Sequence, residues 1–281
     1  MKILNSLLIS LILITFSSCT PKQQLSFIYS CEDQLCQEVM NLDSSTIQNY
    51  TDDNKIYREG LRFVYDYRYI DDGTFLIGNE GHRLDTITDK NSQTIVQVSF
   101  TVSEDRGRSM REMIPDYHQS GVNYDYYGKN GESFYPKTSS GLIENEINVW
   151  IHPFRRSTYF AMLNINPYPY VQYPIEVDNT YHWELGVGGS AYIDPIWAMW
   201  DGTTIRKHSY QVTGKETIAL PFVDSVEVHV IKATSTSEIG DSGATFKFSD
   251  KYGFVEMNFE NLNGSKFLFS LTQIDSTAVI R

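Results

Sequence analysis

The chain has 281 residues, with 35 acidic and 23 basic side chains, a formal net charge of −12 and a mean hydropathy of −0.32. This length suits one large or two small domains, and an acidic chain with no basic run repels phosphate backbones, which excludes nucleic acid as a partner. The 19 Tyr and 15 Phe residues favour a mainly β fold, because aromatic side chains suit a pleated surface.

The first eighteen residues have the order of a secretory signal peptide. Lys2 is followed by the mostly apolar residues 3–16. A bilayer core needs roughly 20 apolar residues, so this stretch is too short for a permanent membrane span. Two small residues, Ser17 and Ser18, then stand directly before Cys19. The order predicts export.

The run Phe16-Ser17-Ser18-Cys19 resembles the lipobox of bacterial lipoproteins, in a serine-rich form that is similar to those of Bacteroidota. The resemblance implies that the Cys19 thiol receives a diacylglycerol and that a signal peptidase cuts just before it. Two or three acyl chains, at about 0.8 kcal/mol for each buried CH₂, would then hold the chain on a membrane. The alternative is an ordinary secreted protein. We therefore expect a signal peptide over residues 1–18, a tether over residues 19–24, and a place in the cell envelope, at the outer membrane, with the face left open.

Two cysteines, Cys31 and Cys36, lie beyond the tether. In an oxidising envelope a close pair predicts a disulfide. The local pattern, with Ser30 placed as an N-cap, also favours a short helix. Cysteines five apart in a helix have Cα atoms roughly 8–9 Å apart, beyond the ~7 Å that a bridge tolerates. Either the bridge forms and distorts the helix, or the helix forms and the thiols stay free; the compartment favours the bridge.

Alternation of apolar and polar residues predicts strands along most of the mature chain. The clearest are residues 61–70, 94–102 and 225–233, and a last hairpin over residues 255–271 with an Asn-Gly turn. Three prolines in residues 166–174 exclude a central strand there and predict a sheet edge or an extended segment.

Residues 103–145 show no regular period and contain several glycine-centred turns, which predicts an irregular insertion or lid. The expected architecture is a single mainly β domain over residues 25–281. It is an antiparallel curved sheet or open half-barrel, with a short N-terminal helix or turn segment.

Residues 210–271, with Tyr252-Gly253-Phe254-Val255, resemble a group of uncharacterised bacterial envelope proteins. Those proteins resemble, in turn, the open β half-barrels of lipoprotein carriers and receptors. The resemblance implies a concave apolar face, which in that family accepts an acyl chain. It implies no catalytic residue.

No catalytic, metal or cofactor motif stands out. There is no H-x-x-x-H pair and no G-x-S-x-G motif, and alternation along its strand predicts that His229 faces solvent. We expect neither a metal nor a cofactor. Paired carboxylates would suit a glycan hydrolase, but among 35 acids no pair is marked out.

The aromatic segment over residues 192–202 is the candidate binding site. Two tryptophans with polar neighbours suit an aromatic platform, and tyrosines of the proline-rich segment would extend its rim. The alternative is that these tryptophans are core residues at the end of the sheet. The candidate side chains are Trp197, Trp200, Tyr192, Asp194, Asp201, Tyr168, Tyr170 and Tyr173.

The sequence thus favours a membrane-anchored envelope lipoprotein that acts as a non-enzymatic binding module. Its expected partner is a small apolar ligand, a glycan or an envelope protein. The alternative is a glycan-active hydrolase with two carboxylates roughly 5–9.5 Å apart.

Overall fold

The structure is a computed structural model that describes residues 27–32, 35–40, 54–70, 95–103, 119–128, 130–131, 133–155, 160–188 and 198–276. It describes only the backbone of residues 27–32, 35–40 and 134–137. The described chain is almost entirely antiparallel sheet, which confirms the predicted fold class. The helical element among the described residues is a short 3₁₀ helix, Ala161–Ile165. None of the described helical structure is long and apolar enough to cross a membrane.

Fourteen strands are described, of which twelve form one sheet. The separate two-stranded sheet consists of β1 (Phe27–Glu32) and β2 (Leu35–Met40). The large sheet contains β3 (Leu61–Ile70), β4 (Ile95–Ser103), β5 (Ser120–Gly128), β6 (Ser133–Glu144), β7 (Asn148–Ile151), β8 (Tyr170–Gln172), β9 (Thr180–Gly188), β10 (Thr203–Leu220), β11 (Val223–Thr236), β12 (Ser242–Ser249), β13 (Gly253–Glu260) and β14 (Lys266–Ser276).

The order of the large sheet is β8-β7-β6-β5-β4-β3-β14-β13-β12-β11-β10-β9. Every neighbouring pair is antiparallel, and every pair except β3–β14 joins strands that follow each other in the chain. Two meanders therefore meet along β3 and β14. The edges β8 and β9 are consecutive in the chain, and the sheet is nearly closed into a barrel.

The strongest local predictions are confirmed. The predicted last hairpin is β13–β14, with Phe259 opposite Phe267 and a positive φ at Gly264 in its turn. The proline-rich segment contributes only β8, at the edge of the sheet. Proline lacks a backbone N–H and is therefore placed where the ladder ends.

Three local expectations differ from the structure. The N-terminal helix is replaced by the β1–β2 hairpin, in which Cys31 lies opposite Cys36. Within residues 103–145 the structure describes two regular strands, β5 and β6, whose period is obscured by tyrosines and glycines, while residues 104–118 lie outside the described residues. The prediction that His229 faces solvent is wrong, because the side chain is buried and its Nε2 lies 3.5 Å from the Asp250 carboxylate.

Aromatic rings of the chain itself fill the interior of the sheet. Phe154 lies 4.6 Å from Phe269 between ring centroids, and Phe63 stacks on Phe100 at 5.0 Å. The buried Tyr65 donates its hydroxyl proton to the Phe254 carbonyl at 2.8 Å. The concave apolar face that the resemblance implies is therefore occupied by core side chains.

The segment before β3 packs against one end of the sheet, which we call the Tyr57 end. The Glu144 carboxylate accepts hydrogen bonds from the backbone N–H groups of residues 55–57, each at 2.8 Å. The Tyr57 hydroxyl accepts the N–H of Phe254 at 2.8 Å. Gly253 has a φ of 73°, and a Cβ there would overlap the Tyr57 hydroxyl. Tyr57 and Gly253 thus dock the incoming chain onto β13.

Candidate functional site

The edges β8 and β9 are joined by tyrosine side chains, which we call the tyrosine seam: Tyr168, Tyr170, Tyr181 and Tyr210. The Tyr181 hydroxyl donates to the Tyr170 carbonyl at 2.8 Å, and the Tyr210 hydroxyl donates to the Tyr168 carbonyl at 2.9 Å. The rings of Tyr181 and Tyr210 stack at 5.1 Å. These contacts close the sheet where the ladder of described strands ends.

The seam tyrosines are neutral donors at physiological pH. Burial raises the pKa of Tyr170 to about 12, and a hydrogen bond with Gln172 partly opposes that rise. Burial also raises the pKa of Tyr181 and of Tyr210 well above the ordinary value. The hydroxyls of Tyr181 and Tyr210 therefore keep the protons that their hydrogen bonds to the seam carbonyls require.

A second group of rings adjoins the seam, and we call it the His208 cluster: Trp150, Tyr168, Trp183 and His208. The His208 ring lies 4.8 Å from Trp183 and 6.1 Å from Tyr168. Trp150 lies 5.7 Å from Tyr168 and 6.3 Å from Trp183. The cluster is therefore a continuous set of rings drawn from β7, β9, β10 and the segment before β8.

The His208 cluster contains polar nitrogens that have no hydrogen-bond partner among the described residues. His208 is only 1% exposed, and neither of its ring nitrogens is paired. The indole Nε1 of Trp150 is also buried without a partner. Most buried polar groups in proteins are hydrogen-bonded, and each one left unpaired costs about 1–3 kcal/mol. Three such nitrogens in one cluster leave hydrogen-bonding capacity that a buried water or a polar ligand would satisfy.

The imidazole of His208 is neutral at physiological pH. Burial, followed by the nearby Arg206 charge, lowers the pKa of His208 to about 3. A neutral imidazole offers one N–H donor and one nitrogen acceptor. With the indole N–H of Trp150, the cluster offers two donors and one acceptor inside an aromatic wall.

Arg206 anchors the neighbouring part of β10, at what we call the Arg206 end of the sheet. The side chain is fully buried. Burial lowers its pKa to about 10, so that it stays charged at physiological pH. All five of its N–H groups are used. They bind the carbonyls of Ile165, Ser235 and Gly240 and the hydroxyls of Ser237 and Ser242, at 2.6–3.1 Å.

The hydrogen bonds of Arg206 tie three elements together. They join β10 to the carboxyl end of the 3₁₀ helix, to the end of β11 and to the start of β12. Because Arg206 and His208 lie two residues apart on one face of β10, this anchor also positions the imidazole. Arg206 is therefore a positioning residue for the cluster.

Sequence reasoning missed the inward row of β10. Thr204, Arg206, His208 and Tyr210 alternate along one face and are all buried, while Ile205 on the other face is 43% exposed. Apolar residues usually mark the inner face of a strand, but on β10 large polar side chains occupy that face. The signal that could have found the row is the strict alternation of these residues with Lys207, Ser209 and Gln211.

The predicted rim tyrosines are core or seam residues. Tyr168 is 4% exposed and belongs to the His208 cluster, Tyr170 is fully buried in the seam, and Tyr173 is half-buried. The predicted site therefore meets the cluster at Tyr168, but as part of a buried wall and not as an exposed rim.

The predicted tryptophan segment is described only in part. Trp200 is half-buried against the core, and its indole Nε1 is buried without a described partner. Asp201 is exposed. The other predicted positions, Cys19, Tyr192, Asp194 and Trp197, lie outside the described residues.

The described residues contain no group of three or more His, Cys, Asp and Glu side chains that could hold a metal ion. No family model and no curated protein matches the chain.

Solved structures with a similar arrangement come from three bacteria. A protein described as exported, with a YmcC-like fold, from Bacteroides fragilis is 14% identical, with 78% of this chain and 97% of that chain covered at a TM-score of 0.40. A protein described as a lipoprotein from Parabacteroides distasonis is 13% identical. The match covers 78% of this chain and 97% of that chain, with a TM-score of 0.39. The hypothetical lipoprotein YmcC from Escherichia coli is 10% identical. The match covers 84% of this chain and 92% of that chain, with a TM-score of 0.33.

Proposed function

We propose that the chain is a lipid-anchored protein of the bacterial cell envelope, at the outer membrane, that binds a small glycan at the His208 cluster. The signal-peptide order of residues 1–18 and the Ser17-Ser18-Cys19 sequence support the anchor. Acyl chains on Cys19 would hold the protein at the membrane surface. The binding role rests on the geometry of the cluster.

The unpaired nitrogens of His208 and Trp150 are the observation that carries the binding role. A sugar ring presents an apolar face that fits an aromatic wall and hydroxyl groups that both donate and accept hydrogen bonds. Binding sites combine these features, since they are mostly apolar with a few fixed polar groups. An acyl chain at the cluster would leave all three nitrogens unpaired, at about 1–3 kcal/mol each. The cluster therefore favours a hydroxyl-bearing ligand.

Access to the cluster requires movement at the seam. His208, Tyr168, Trp183 and Trp150 are 1–6% exposed. At the seam, edges β8 and β9 are joined by tyrosine hydrogen bonds and ring contacts. A few side-chain bonds open at a lower free-energy cost than a strand ladder does. We therefore place the route of entry between β8 and β9.

Binding is favoured over hydrolysis by what the carboxylates do. The Glu144 carboxylate already accepts three backbone N–H groups at the Tyr57 end. Asp201 is exposed. A hydrolase would need two free carboxylates on either side of one glycosidic bond, and the described site offers an imidazole and indoles.

Titration of the mature protein with glucose, galactose, N-acetylglucosamine and their disaccharides tests the proposal. Trp150 and Trp183 belong to the cluster, so intrinsic tryptophan emission should change when one of these sugars binds. His208→Phe should abolish the change, because it removes both ring nitrogens. His182→Phe is the matched control, since His182 lies on the exposed face of β9. A response to octanoate and to none of the sugars would contradict a glycan ligand.

The anchor is tested separately by intact mass of the protein purified from membranes. The mature chain should begin at Cys19 and carry acyl mass there. Cys19→Ser should give an unprocessed or soluble protein. A mature N-terminus at any other residue would contradict the anchor without bearing on the sugar titration.

A further inference from the structure

Strands β10 and β11 extend beyond their neighbours as a two-stranded arm over residues 213–227. The pairing of β10 with β9 ends at Gln211, opposite Thr180. The pairing of β11 with β12 begins at His229, opposite Phe248. Between these points the two strands pair with each other through Leu220, opposite Val223. The arm therefore projects from the Tyr57 end of the sheet.

The tip of the arm is apolar, whereas hairpin turns are usually polar. Residues 218–223 read Ile-Ala-Leu-Pro-Phe-Val, without a charge. Phe222 is 40% exposed at the turn, and Ile218, Leu220 and Val226 are half-buried behind it. A turn that exposes a phenylalanine in the middle of six uncharged residues suits contact with an apolar phase.

A second aromatic residue and a lysine flank the tip. The ring of Phe222 meets Tyr252 edge-on at 5.4 Å, and Lys251 places its Nζ 4.9 Å from the centre of the Tyr252 ring. Tyrosines are concentrated at membrane–water interfaces. Lysines reach from such positions toward the headgroups. The three side chains together have the composition of an interfacial anchor.

The tip lies at the end of the sheet where the N-terminal chain arrives. Tyr57 binds the backbone of Phe254, directly after the Tyr252–Gly253 turn that contacts Phe222. Asn54 is 35 residues beyond Cys19 in the sequence, a stretch that spans at most roughly 120 Å when extended. The described segment that leads from the tether into β3 thus meets the sheet at the same end as the tip.

The charges near the tip decide which lipid surface it suits. Exposed acids outnumber bases there, with Glu216, Asp224, Glu227 and Asp250 against Lys215 and Lys251. Lys215 is already paired with Glu227 at 2.9 Å. An acidic protein surface gains no electrostatic attraction from anionic lipids. Insertion of apolar area into uncharged headgroups remains favourable.

We propose that the tip, led by Phe222 with Tyr252 and Lys251, inserts into the interfacial region of the membrane that carries the acyl chains of Cys19. This inference rests on the proposed lipid anchor. The tip is a second contact with the same membrane, and it holds the barrel in one orientation on the surface, with the Arg206 end directed away.

Quenching by brominated lipid tests the insertion. Phe222→Trp places a reporter at the tip, and Ile205→Trp places the matched control at the Arg206 end, where Ile205 is 43% exposed. The mature lipoprotein carrying either variant is reconstituted into vesicles of phosphatidylcholine brominated on its acyl chains. Emission of the Phe222→Trp protein should fall markedly more than that of the Ile205→Trp protein. The difference should persist in 1 M salt, because no charge attraction supports the contact.

The outcomes separate the tip from the anchor. Equal quenching of the two variants, with acyl mass present on Cys19, overturns the insertion and leaves the anchor intact. Absence of acyl mass contradicts the anchor, and quenching of the unlipidated Phe222→Trp protein at high vesicle concentration would then still support the tip. A dimer in the absence of vesicles that Phe222→Ser converts to a monomer would show that the tip binds a second copy, and would overturn the proposal.

Discussion

The indole Nε1 of Trp183 donates to the Tyr210 hydroxyl at 3.0 Å, and this bond joins the His208 cluster to the tyrosine seam. The Tyr210 hydroxyl in turn donates a hydrogen bond to the Tyr168 carbonyl at 2.9 Å. The ring that closes the sheet is thus bonded to the wall of the candidate site. The proposed opening of the seam would therefore break a bond of the same hydroxyl that binds the wall of the cluster.

Tyr210→Phe should destabilise the protein by about 1–3 kcal/mol, because it leaves the Trp183 indole N–H and the Tyr168 carbonyl buried without a partner. Urea unfolding followed by circular dichroism measures the change. Tyr252→Phe is the control, since Tyr252 is only half-buried at the Tyr57 end. An unfolding midpoint for Tyr210→Phe equal to that of the control would contradict the role given to the hydroxyl.

Stability should depend on pH through His208. The pKa of His208 in the folded protein is about 3, below the ordinary value for histidine, because burial opposes the charge. Above pH 6.5 the imidazole is neutral in both states and makes no pH-dependent contribution. As pH falls below 6.5 the unfolded chain binds a proton that the folded chain does not, so stability declines until the pH approaches 3.

The expected slope from this one group approaches about 1.4 kcal/mol per pH unit well below 6.5. His208→Gln should flatten the free energy of unfolding between pH 5 and pH 6.5 relative to the unmodified protein. His182→Gln serves as the reference, because His182 lies on the exposed face of β9. Parallel pH profiles for the protein and its His208→Gln variant would show that the imidazole is not held neutral.

Gly253→Ala should be strongly destabilising. The residue has a φ of 73°, which side chains other than glycine rarely adopt, and a Cβ would overlap the Tyr57 hydroxyl. We expect a loss above about 1 kcal/mol, since the steric term adds to the backbone term. Gly214→Ala is the matched control, because a Cβ there meets nothing within 4 Å. Tyr57→Phe should not recover the loss, because the ring carbon Cζ would still lie 2.5 Å from the added Cβ and the Phe254 N–H would lose its acceptor.

Much of the sheet follows from residue alternation, and the exceptions have physical causes. The β13–β14 hairpin was predictable because Val255, Met257 and Phe259 alternate with polar residues before an Asn-Gly turn. The inward face of β10 was not, because Arg206 and His208 occupy positions that usually hold aliphatic side chains. Acceptors from distant segments, such as the Ile165 carbonyl, stabilise the buried Arg206 charge, and alternation does not reveal them.

The candidate site was predicted only at Tyr168. Clusters of tryptophan and tyrosine in sequence indicated an aromatic wall, but the wall is assembled from Trp150 on β7, Trp183 on β9 and His208 on β10. These residues are brought together by closure of the sheet, through contacts that are distant in the chain. A local sequence motif contains no information on such contacts, which become evident only when the pairing of the strands is known.

The register of β1 and β2 removes the geometric obstacle to the disulfide expected between the two remaining cysteines. Cys31 lies directly opposite Cys36. Opposed residues of antiparallel strands have Cα atoms about 4.5 or 5.5 Å apart. Both separations fall within the ~4.4–6.8 Å range of disulfides, so the obstacle that a helix would have posed is absent. An isolated two-stranded hairpin is marginal in water, and a bridge between its strands would stabilise it.

We therefore expect Cys31 and Cys36 to be bridged in the exported protein, the two thiols losing their hydrogens by exchange with a disulfide of an envelope oxidoreductase. Alkylation under denaturing, non-reducing conditions should leave both residues unmodified, and prior reduction should expose both.

Cys31→Ser should leave Cys36 open to alkylation, which confirms that the reagent reaches the site. Two alkylated thiols in the unreduced protein would contradict the bridge. Protection that persists in Cys31→Ser would contradict this pairing. Reduction should leave the twelve-stranded sheet intact, because the β1–β2 pair forms a sheet of its own.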